Sequence, residues 1–404
     1  MKEVKSWSDS PFDRVLSARD VSARGEVLGQ NGGESTIVYA LATQPEWLVK
    51  LYKRPLSPAQ ASVLDQVIAL PDRMGAADRA VVDRSAAWPV ARVVDEDTTV
   101  GVVMARAPAC FTTDLWSPRT GRTRRALLTV DHLVQDDKAM KRQGIPAPGE
   151  EIRAAVVIRY LRLGAVLNRH NLVYGDWSYS NGLWEPGQGR VFLIDMDSCG
   201  VGRRGWILSN NWDDPHYPRG TDLDVYADRY RIGLLALRCL SGCRDQDRIS
   251  TSLDRLPKRL RSSEFTRLLD RTLQESEPAR RPEVAELLQA LEEHWPGLVP
   301  GEEGPFPPVL APEANVTGFR TVGTSRNGTG RRAVKGRPPR GPVGSAPQAK
   351  PSVTGSDWTA SPTPGRQWSV SRKSRRGAVR PAVVVAAVLV ALCLALIFLT
   401  PLFF

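Results

Sequence analysis

The 404-residue sequence predicts an α+β fold in which strands lie near the N-terminus and helices follow them. Between residues 25 and 104, β-branched and aromatic runs recur between glycine- or proline-containing turns, the pattern of strands in a sheet. Long segments with an apolar period near 3.6 residues begin at Glu150 and at Asp222. Strands followed by helices are typical of α+β domains, and the chain is long enough for two lobes with additional segments.

The N-terminal strands surround a cluster of glycines. Residues 1–24 are polar and predict no periodic element, whereas residues 25–41 predict a strand, a glycine-rich turn and a second strand. Glycines allow a backbone to approach phosphate oxygens closely. The next strand, Trp47–Tyr52, has one charged residue in its middle, Lys50, which needs a partner if it is buried. Further strands are expected at residues 88–94 and 99–104.

Helices are predicted by apolar periodicity and by their end signals. Pro58 suits the first turn of a helix over residues 58–70. The segment 150–168 is strongly amphipathic, and the segment 222–240 has the composition of a buried helix. A closing helix is expected over residues 282–294.

Two carboxylates and an amide recur at characteristic distances in the middle of the chain. Asn181 follows Asp176 by five residues, and a short strand, a turn over residues 185–189 and a second strand over residues 191–194 then lead to Asp195. This hairpin is expected to return one carboxylate to the neighbourhood of the other two groups. Carboxylate and amide oxygens are suitable ligands for Mg²⁺, and a spare carboxylate can accept a hydroxyl proton.

This stretch resembles the catalytic loop and metal loop of the eukaryotic-type protein kinase superfamily, H-R-D-x-x-x-x-N followed by D-F-G. Residues 174–176, Tyr-Gly-Asp, stand at the first motif, Asn181 at its Asn, and residues 195–197, Asp-Met-Asp, at the second. The His-Arg pair is absent, and Ser178 stands where many serine/threonine kinases have Lys. The chain is therefore similar to a divergent bacterial member of that superfamily, over about residues 20–296.

The resemblance extends to the N-terminal strands. In the glycine-rich pattern G-x-G-x-x-G-x-V, Gly33 fits the second glycine, and Lys50 corresponds to the Lys of V-A-I-K. The helix over residues 58–70 corresponds to the regulatory helix, in which the family has a Glu that pairs with this Lys. The nearest acid in this helix is Asp65. Residues 104–108 resemble the hinge, with Met104 as gatekeeper.

Three further features resemble the C-terminal lobe of the family. Asp228 corresponds to the Asp that accepts hydrogen bonds from the catalytic-loop backbone. Residues 277–282, Glu-Pro-Ala-Arg-Arg-Pro, resemble D-P-x-x-R-P, in which the residue at Arg281 pairs with the glutamate of an Ala-Pro-Glu motif. That motif is absent, so a different residue must anchor the segment that ends at residues 212–218.

The resemblance implies a bilobal protein-kinase-like fold that transfers the γ-phosphoryl group of ATP to Ser or Thr hydroxyls. Asp176 would orient and deprotonate the acceptor, and Asn181 and Asp195 would bind Mg²⁺. The implied ATP-binding residues are Gly32, Gly33, Lys50, Met104 and Arg106. Two alternatives remain open: a nucleotide-binding pseudokinase that acts as a membrane scaffold, and a small-molecule phosphotransferase.

Asp195 is preferred to Asp197 as the principal metal ligand because it directly follows the apolar strand, as the Asp of D-F-G does. If the backbone here is extended, Asp195 and Asp197 point to one side and Met196 to the other. Asp197 would then add charge near the metal without being its main ligand.

The end of the sequence predicts a membrane anchor. Residues 382–400 form a run of 19 without a charge or an amide, long enough at 1.5 Å per residue to span about 28 Å. Basic residues precede this run, so the positive-inside rule places the kinase-like domain in the cytoplasm of a single-pass membrane protein. The N-terminus has no apolar core of a signal peptide, and the scattered, odd-numbered cysteines fit a reducing compartment.

Charge is concentrated before this anchor. Residues 319–404 contain 14 Lys and Arg against one acid, which leaves residues 1–318 at about −2 of the total of +11. Nucleic acid is therefore not an expected partner. The predicted organisation is an N-terminal extension (1–24), an N-lobe with hinge (25–108), a C-lobe (109–296), a disordered basic linker (297–381) and a transmembrane helix (382–404).

Overall fold

The computed structural model describes residues 6–31, 33–117, 119–207, 211–244 and 249–301. The predicted transmembrane helix and all but the first residues of the predicted linker lie outside these ranges. Within them, no helix is both long enough and apolar enough to cross a bilayer. The predicted fold class is confirmed for the described residues: a β-rich N-terminal part precedes a helical part, an arrangement compatible with two lobes.

A six-stranded sheet forms the N-terminal part, in the order β1-β5-β6-β4-β3-β2. The strands are β1 (Val15–Ser17), β2 (Arg24–Gln30), β3 (Ser35–Leu41), β4 (Trp47–Tyr52), β5 (Pro89–Asp95) and β6 (Thr98–Ala105). β1 and β5 are parallel and the other neighbours are antiparallel. Val38 and Val102 lie opposite Lys50 in the two neighbouring strands, so the three side chains share one face of the sheet.

The first described residues are part of this fold, although the sequence predicts no periodic element there. β1 extends the sheet by pairing with β5, and Trp7 is buried in the main core. The indole of Trp7 donates a hydrogen bond to the carbonyl of Ile68 over 2.9 Å. A three-residue strand and a single anchoring tryptophan have no periodicity, so pattern analysis could not detect them.

Two helices follow β4: α1 (Pro58–Ala69), close to its predicted range, which packs against β5, and α2 (Ala76–Ser85), which was not predicted. Ser57 and Gln60 form a capping box that begins α1. At its other end, the indole of Trp88 donates to the carbonyl of Val67 over 2.9 Å, in addition to the bond from Trp7. Both ends of α1 are therefore held by side chains.

Residues 111–150 contain a hairpin that the sequence analysis missed. It consists of β7 (Thr112–Ser117) and β8 (Arg122–Leu127), followed by the short helices α3 (Val130–Leu133) and α4 (Asp137–Arg142). The hairpin is rich in arginine and presents few alternating apolar residues, because most of its side chains are exposed. The alternation that identifies half-buried strands is therefore weak in this segment.

The helical part packs around two long helices. α5 (Glu150–Arg169) and α6 (Val225–Ser241) confirm two predicted helices, and nearly every residue along the middle of each is buried. The remaining helices are α7 (Ile249–Leu253), α8 (Glu264–Gln274) and α9 (Val284–Glu292). Cys110, Cys199, Cys239 and Cys243 are free thiols, and all four are buried in the structure.

A buried ion pair ties the loop before α6 to the loop before α9. Arg281 contacts both carboxylate oxygens of Asp214, one of them over 2.9 Å, and the side chains are 0% and 2% exposed. Asp214 is thus the partner that the sequence could not identify for Arg281. Next to it, Asp213 pairs with the buried Arg231 at 3.3 Å. These contacts anchor the segment that has no Ala-Pro-Glu motif.

Replacing Asp214 by Ala should destabilise the protein by about 3–5 kcal/mol, because it leaves the buried guanidinium of Arg281 without its partner. The neighbouring Arg280 offers a matched control, since its partner Glu277 is exposed. Replacing Glu277 by Ala should change the free energy of unfolding by about 0.5 kcal/mol or less. Urea unfolding followed by tryptophan fluorescence measures both, and equal effects of the two substitutions would contradict this assignment.

Candidate functional site

A hairpin places the predicted carboxylates and amide together. It consists of β10 (Gly182–Trp184) and β11 (Val191–Leu193), joined by the predicted turn over residues 185–189. The strand that precedes it, β9 (Leu172–Val173), pairs with β12 (Gly200–Val201), which follows it. Gly182 pairs with Leu193, and the N–H of Ile194 donates to the carbonyl of Asn181 over 2.9 Å. This register sets Asn181 beside Ile194, the residue that precedes Asp195, although Asn181 and Asp195 are 14 positions apart in the sequence.

Asp176 and Asn181 are joined directly. The amide Nδ2 of Asn181 donates to Oδ2 of Asp176 over 2.8 Å and to its backbone carbonyl over 3.2 Å. Since Nδ2 faces Asp176, the other amide atom, Oδ1, points away from this carboxylate. Its contact with the Ser180 hydroxyl is long, at 3.4 Å. Oδ1 therefore keeps lone pairs for another ligand, while the carboxylate of Asp176 is held by its own loop.

The loop before Asp176 requires a glycine. Gly175 has a φ of +72°, and a Cβ on it would lie 2.9 Å from Cδ of Arg204. Arg204 donates to the carbonyl of Tyr174, and the buried Arg231 donates to that of Gly175. Two arginines from later segments therefore hold the loop at the position where the resembled motif has its own His and Arg.

Tyr174 links this loop to the end of the hairpin. Its hydroxyl donates to the carbonyl of Ile194 over 2.8 Å, and its ring is fully buried against Trp177. Burial raises the pKa of the Tyr174 hydroxyl well above its usual value, so it remains a donor. The backbone carbonyl of Ile194, just before Asp195, is consequently bonded to the side chain of Tyr174, two residues before Asp176.

Asp228 of α6 binds the backbone of the same loop. Its two oxygens accept hydrogen bonds from the N–H groups of Tyr174 and Gly175, over 2.6 and 2.8 Å. The hydrogen-bonding role expected for Asp228 is confirmed. Burial raises the pKa of this carboxyl to about 6, although the two N–H donors and Arg231 favour its ionised form.

Lys50 of β4 meets two carboxylates at the end of the hairpin. Its Nζ lies 3.1 Å from Oδ1 of Asp195 and 2.9 Å from Oδ1 of Asp197. Burial disfavours the charged ammonium, but Asp197 and Asp195 together raise the pKa of Lys50 above its usual value. Lys50 is thus a buried cation with two anionic partners, and it connects the sheet to the helical part.

Asp195 adopts a left-handed backbone conformation, with φ 59° and ψ 37°, and Met196–Ser198 form a short 3₁₀ turn. The conditional expectation of an extended backbone here is wrong. Both carboxylates nevertheless reach Lys50, while Met196 is fully buried in the core. Left-handed residues other than glycine are uncommon and often occur at functional sites. The tight turn, and not strand alternation, brings the carboxylates together.

The two carboxylates differ in exposure. The side chain of Asp195 is 44% exposed, whereas that of Asp197 is 3% exposed. Oδ2 of Asp197 accepts a hydrogen bond from the hydroxyl of Tyr52 over 3.0 Å. Asp195 is therefore the carboxylate that remains accessible to a ligand.

The acid of α1 does not reach Lys50. Asp65 pairs with Nε of Arg92 over 2.8 Å, and Arg92 also donates to the hydroxyl of Thr99 over 2.9 Å. The side of α1 that faces the site is apolar, with Leu64 and Ile68 in a buried cluster that includes Met104. The helix therefore contributes packing and no charge to Lys50.

The described ones among the other residues predicted to bind nucleotide lie within the sheet or at the ends of its strands. Gly33 lies in the β2–β3 turn with a φ of +47°, and Lys53 donates to its carbonyl over 2.8 Å; Gly32 lies outside the described residues. Met104 is buried at the end of β6. Arg106 is already engaged, because its N–H donates to the carbonyl of Glu46 and its guanidinium pairs with Glu26.

An open pocket of about 880 Å³ lies on the α1 side of Asp197. Its walls come from the start of α1, the segment before it and residues 197–207. Four basic residues line it, Lys53, Arg54, Arg203 and Arg204, against two acids, Glu34 and Asp197. The pocket is thus suited to an anionic group, and it adjoins the carboxylate cluster without including Lys50 or Asp176.

The chemistry of the donor set fits a magnesium ion that is held together with phosphate. In the described part of the chain, no three residues among His, Cys, Asp and Glu cluster closely enough to hold a metal alone. Magnesium in nucleotide sites is usually bound by one or two carboxylates, with phosphates and waters completing its octahedron. The accessible carboxylate of Asp195 and the amide oxygen of Asn181 meet that requirement.

The chain matches no protein-family model and no curated protein. The geometry of the site is therefore the basis for its functional assignment. Sequence reasoning missed Tyr52, Asp214 and Arg204, and it gave Asp197 a subsidiary role near the metal. Tyr52 carries a usable signal, because it stands two positions after Lys50 on the same face of a strand.

The raised pKa of Asp228 predicts a pH-dependent stability. The folded protein binds the proton of the Asp228 carboxyl more tightly than the unfolded chain does. The contribution of Asp228 to the free energy of unfolding is therefore largest below pH about 4, and it declines as the pH rises through 6. A shift of about two pKa units corresponds to about 3 kcal/mol. The Asp228→Asn variant lacks this titration.

Urea unfolding of wild type and Asp228→Asn at pH 4, 5, 6 and 7 measures this effect. The wild type should lose stability relative to the variant as the pH rises, by up to about 3 kcal/mol. A difference that stays constant over this pH range would show that Asp228 does not titrate there.

Proposed function

We propose that the protein is an ATP-dependent protein kinase with a bilobal, protein-kinase-like fold, which transfers a phosphoryl group to Ser or Thr hydroxyls. The observation that carries this proposal is the contact of Lys50 with Asp195 and Asp197. These aspartates follow the lysine by 145 and 147 residues in the sequence. An ammonium beside an accessible carboxylate can serve both a phosphate and its metal ion.

The loop that carries Asp176 supports the same assignment. It is held by two N–H bonds to Asp228 and by the hydroxyl of Tyr174, so its carboxylate has a fixed place next to Asn181. A general base must be held within hydrogen-bonding reach of the proton that it accepts. The order of these features along the chain also agrees with the resemblance to protein kinases.

Each residue then has a defined role. Lys50 would bind the α- and β-phosphates, Asn181 and Asp195 would hold Mg²⁺, and Asp176 would orient the acceptor hydroxyl and accept its proton. Gly33 and its turn cover the phosphates, and Met104 packs behind the base. When bound, Mg²⁺ neutralises the charge that develops on the transferred phosphoryl group.

The sequence supports a membrane location for this activity. We propose that residues 382–404 anchor the chain as a single transmembrane helix and that the kinase-like domain lies in the cytoplasm. The basic residues before the anchor are the basis for this orientation. The predicted linker boundary at residue 297 is wrong for its first residues, because Val299 is buried and Arg162 donates to the carbonyls of Val299 and Pro300.

Deleting residues 382–404 should release the protein from washed membranes, because the proposed anchor is removed. Retention of the truncated chain in the membrane fraction would contradict the anchor.

Mg·ATP should stabilise the full-length protein against heat by mass action, since it binds the folded state alone. At a concentration a hundredfold above the dissociation constant, the gain is about 2.7 kcal/mol. Lys50→Ala should lose most of the shift in melting temperature, whereas Lys138→Ala, an exposed lysine of α4, should keep it. A folded wild type with no shift at millimolar Mg·ATP would count against any nucleotide-binding function.

Asp176→Asn should lower phosphoryl transfer by roughly 10²–10⁴-fold, because it removes the acceptor's general base. ATP affinity should stay unchanged, since this carboxylate is not assigned to the nucleotide. Transfer of labelled phosphate from ATP to generic protein acceptors, with Ser180→Ala as a control in the same loop, measures this. A wild type that binds ATP but transfers no phosphate would favour the scaffold alternative.

A further inference from the structure

Lys50 is held by the aspartate turn, which we define as residues 195–198, and by its own strand. Asp197 uses both carboxylate oxygens for this purpose: Oδ1 contacts Nζ of Lys50 at 2.9 Å, and Oδ2 accepts from the hydroxyl of Tyr52 at 3.0 Å. Lys50 and Tyr52 lie two positions apart on β4, so they present their polar groups to the same side of the strand.

Asp197 and Asp195 are not equivalent partners of Lys50. Asp197 is almost completely enclosed, and both of its oxygens are occupied by β4. Asp195 is 44% exposed and contacts Lys50 through one oxygen, at 3.1 Å. The contact with Asp195 can therefore be exchanged for a ligand while Asp197 keeps the ammonium in place.

Helix α1 is fixed independently of Lys50. Its acid, Asp65, is engaged by Arg92, and the carbonyls at its C-terminal end accept from the indoles of Trp7 and Trp88. Leu64 and Ile68 bury its inner side. No acidic side chain of α1 contacts Lys50 in this fully described helix, so a shift of α1 would not make or break an ion pair with the lysine.

We infer that Asp197, supported by Tyr52, is the positioning residue of Lys50, and that the readiness of the site for nucleotide does not depend on an ion pair from α1. This inference rests on the proposed ATP-binding function. The aspartate turn therefore supplies both anionic partners of the lysine. Asp197 acts through Lys50 and touches no reacting atom.

Titration calorimetry of Mg·ATP with the full-length protein in detergent tests the inference with three variants. Asp197→Asn should weaken nucleotide affinity about tenfold or more, because it removes an ionic hydrogen bond that orients the ammonium. Tyr52→Phe deletes one hydroxyl and should weaken affinity by about threefold to tenfold. Asp65→Asn, the matched control on α1, should leave the affinity within about twofold of the wild type.

A double-mutant cycle separates positioning of Lys50 from a general structural role. In a Lys50→Ala background, Asp197→Asn should cause no further loss of affinity, since the residue through which it acts is absent. A purely structural effect of Asp197 would instead add to that of Lys50→Ala. Circular dichroism identifies any variant that fails to fold, and Tyr52→Phe, the mildest substitution, then decides the outcome.

The outcomes distinguish the inference from the function on which it rests. A folded wild type that binds no Mg·ATP would overturn both. Wild-type binding with unchanged affinity in Asp197→Asn or Tyr52→Phe would overturn the inference alone. An Asp65→Asn variant that binds nucleotide as weakly as Asp197→Asn would also overturn the inference, because it would show that Lys50 depends on α1. Additive effects in the double-mutant cycle would overturn it by showing that Asp197 does not act through Lys50.

Discussion

The ion pairs of Lys50 connect the two parts of the described fold. The lysine stands in the middle of a sheet, and its partners stand at the end of a hairpin about 145 residues later. A buried ammonium without a partner is strongly unfavourable, so the lysine and the two carboxylates must be placed together. The arrangement of the sheet, the hairpin and the left-handed turn at Asp195 all serve this requirement.

A second network fixes the loop opposite Lys50. Asp228 binds two successive N–H groups, Tyr174 bonds to the backbone before Asp195, and Arg204 and Arg231 bind the loop carbonyls. Without these residues, the N–H groups and carbonyls of the loop would be buried polar groups that lack a hydrogen-bond partner. These contacts hold the loop that carries Asp176 and leads to Asn181, the residues proposed as general base and metal ligand.

The sequence predicted the elements that carry periodic patterns. The strands from Arg24 to Ala105, the helices α5 and α6, and the hairpin before Asp195 follow from alternation, helical period and turn residues. The candidate site was largely predicted as a set of residues, and Lys50, Asp176, Asn181 and Asp195 do come together in the structure, as two joined pairs linked by the β10–β11 hairpin.

What the sequence could not predict depends on tertiary contact. Asp214 and Arg281 lie 67 residues apart, and no local pattern pairs them. The short strand β1 exists only because β5 offers it an edge, and the buried position of Asp197 depends on a left-handed residue before it. Such features arise when segments distant in the sequence pack together, so their signal is absent from any local window.

The two carboxylates of the aspartate turn are proposed to have separate roles: Asp195 would bind the metal, and Asp197 holds the lysine. Binding of Mn²⁺, a spectroscopic substitute for Mg²⁺, in the presence of ATP tests this proposal in Asp195→Asn and Asp197→Asn. We expect Asp195→Asn to weaken Mn²⁺ binding by about tenfold or more, and Asp197→Asn to weaken it much less once the nucleotide is saturating. The reverse order of severity would contradict the account and identify Asp197 as the metal ligand.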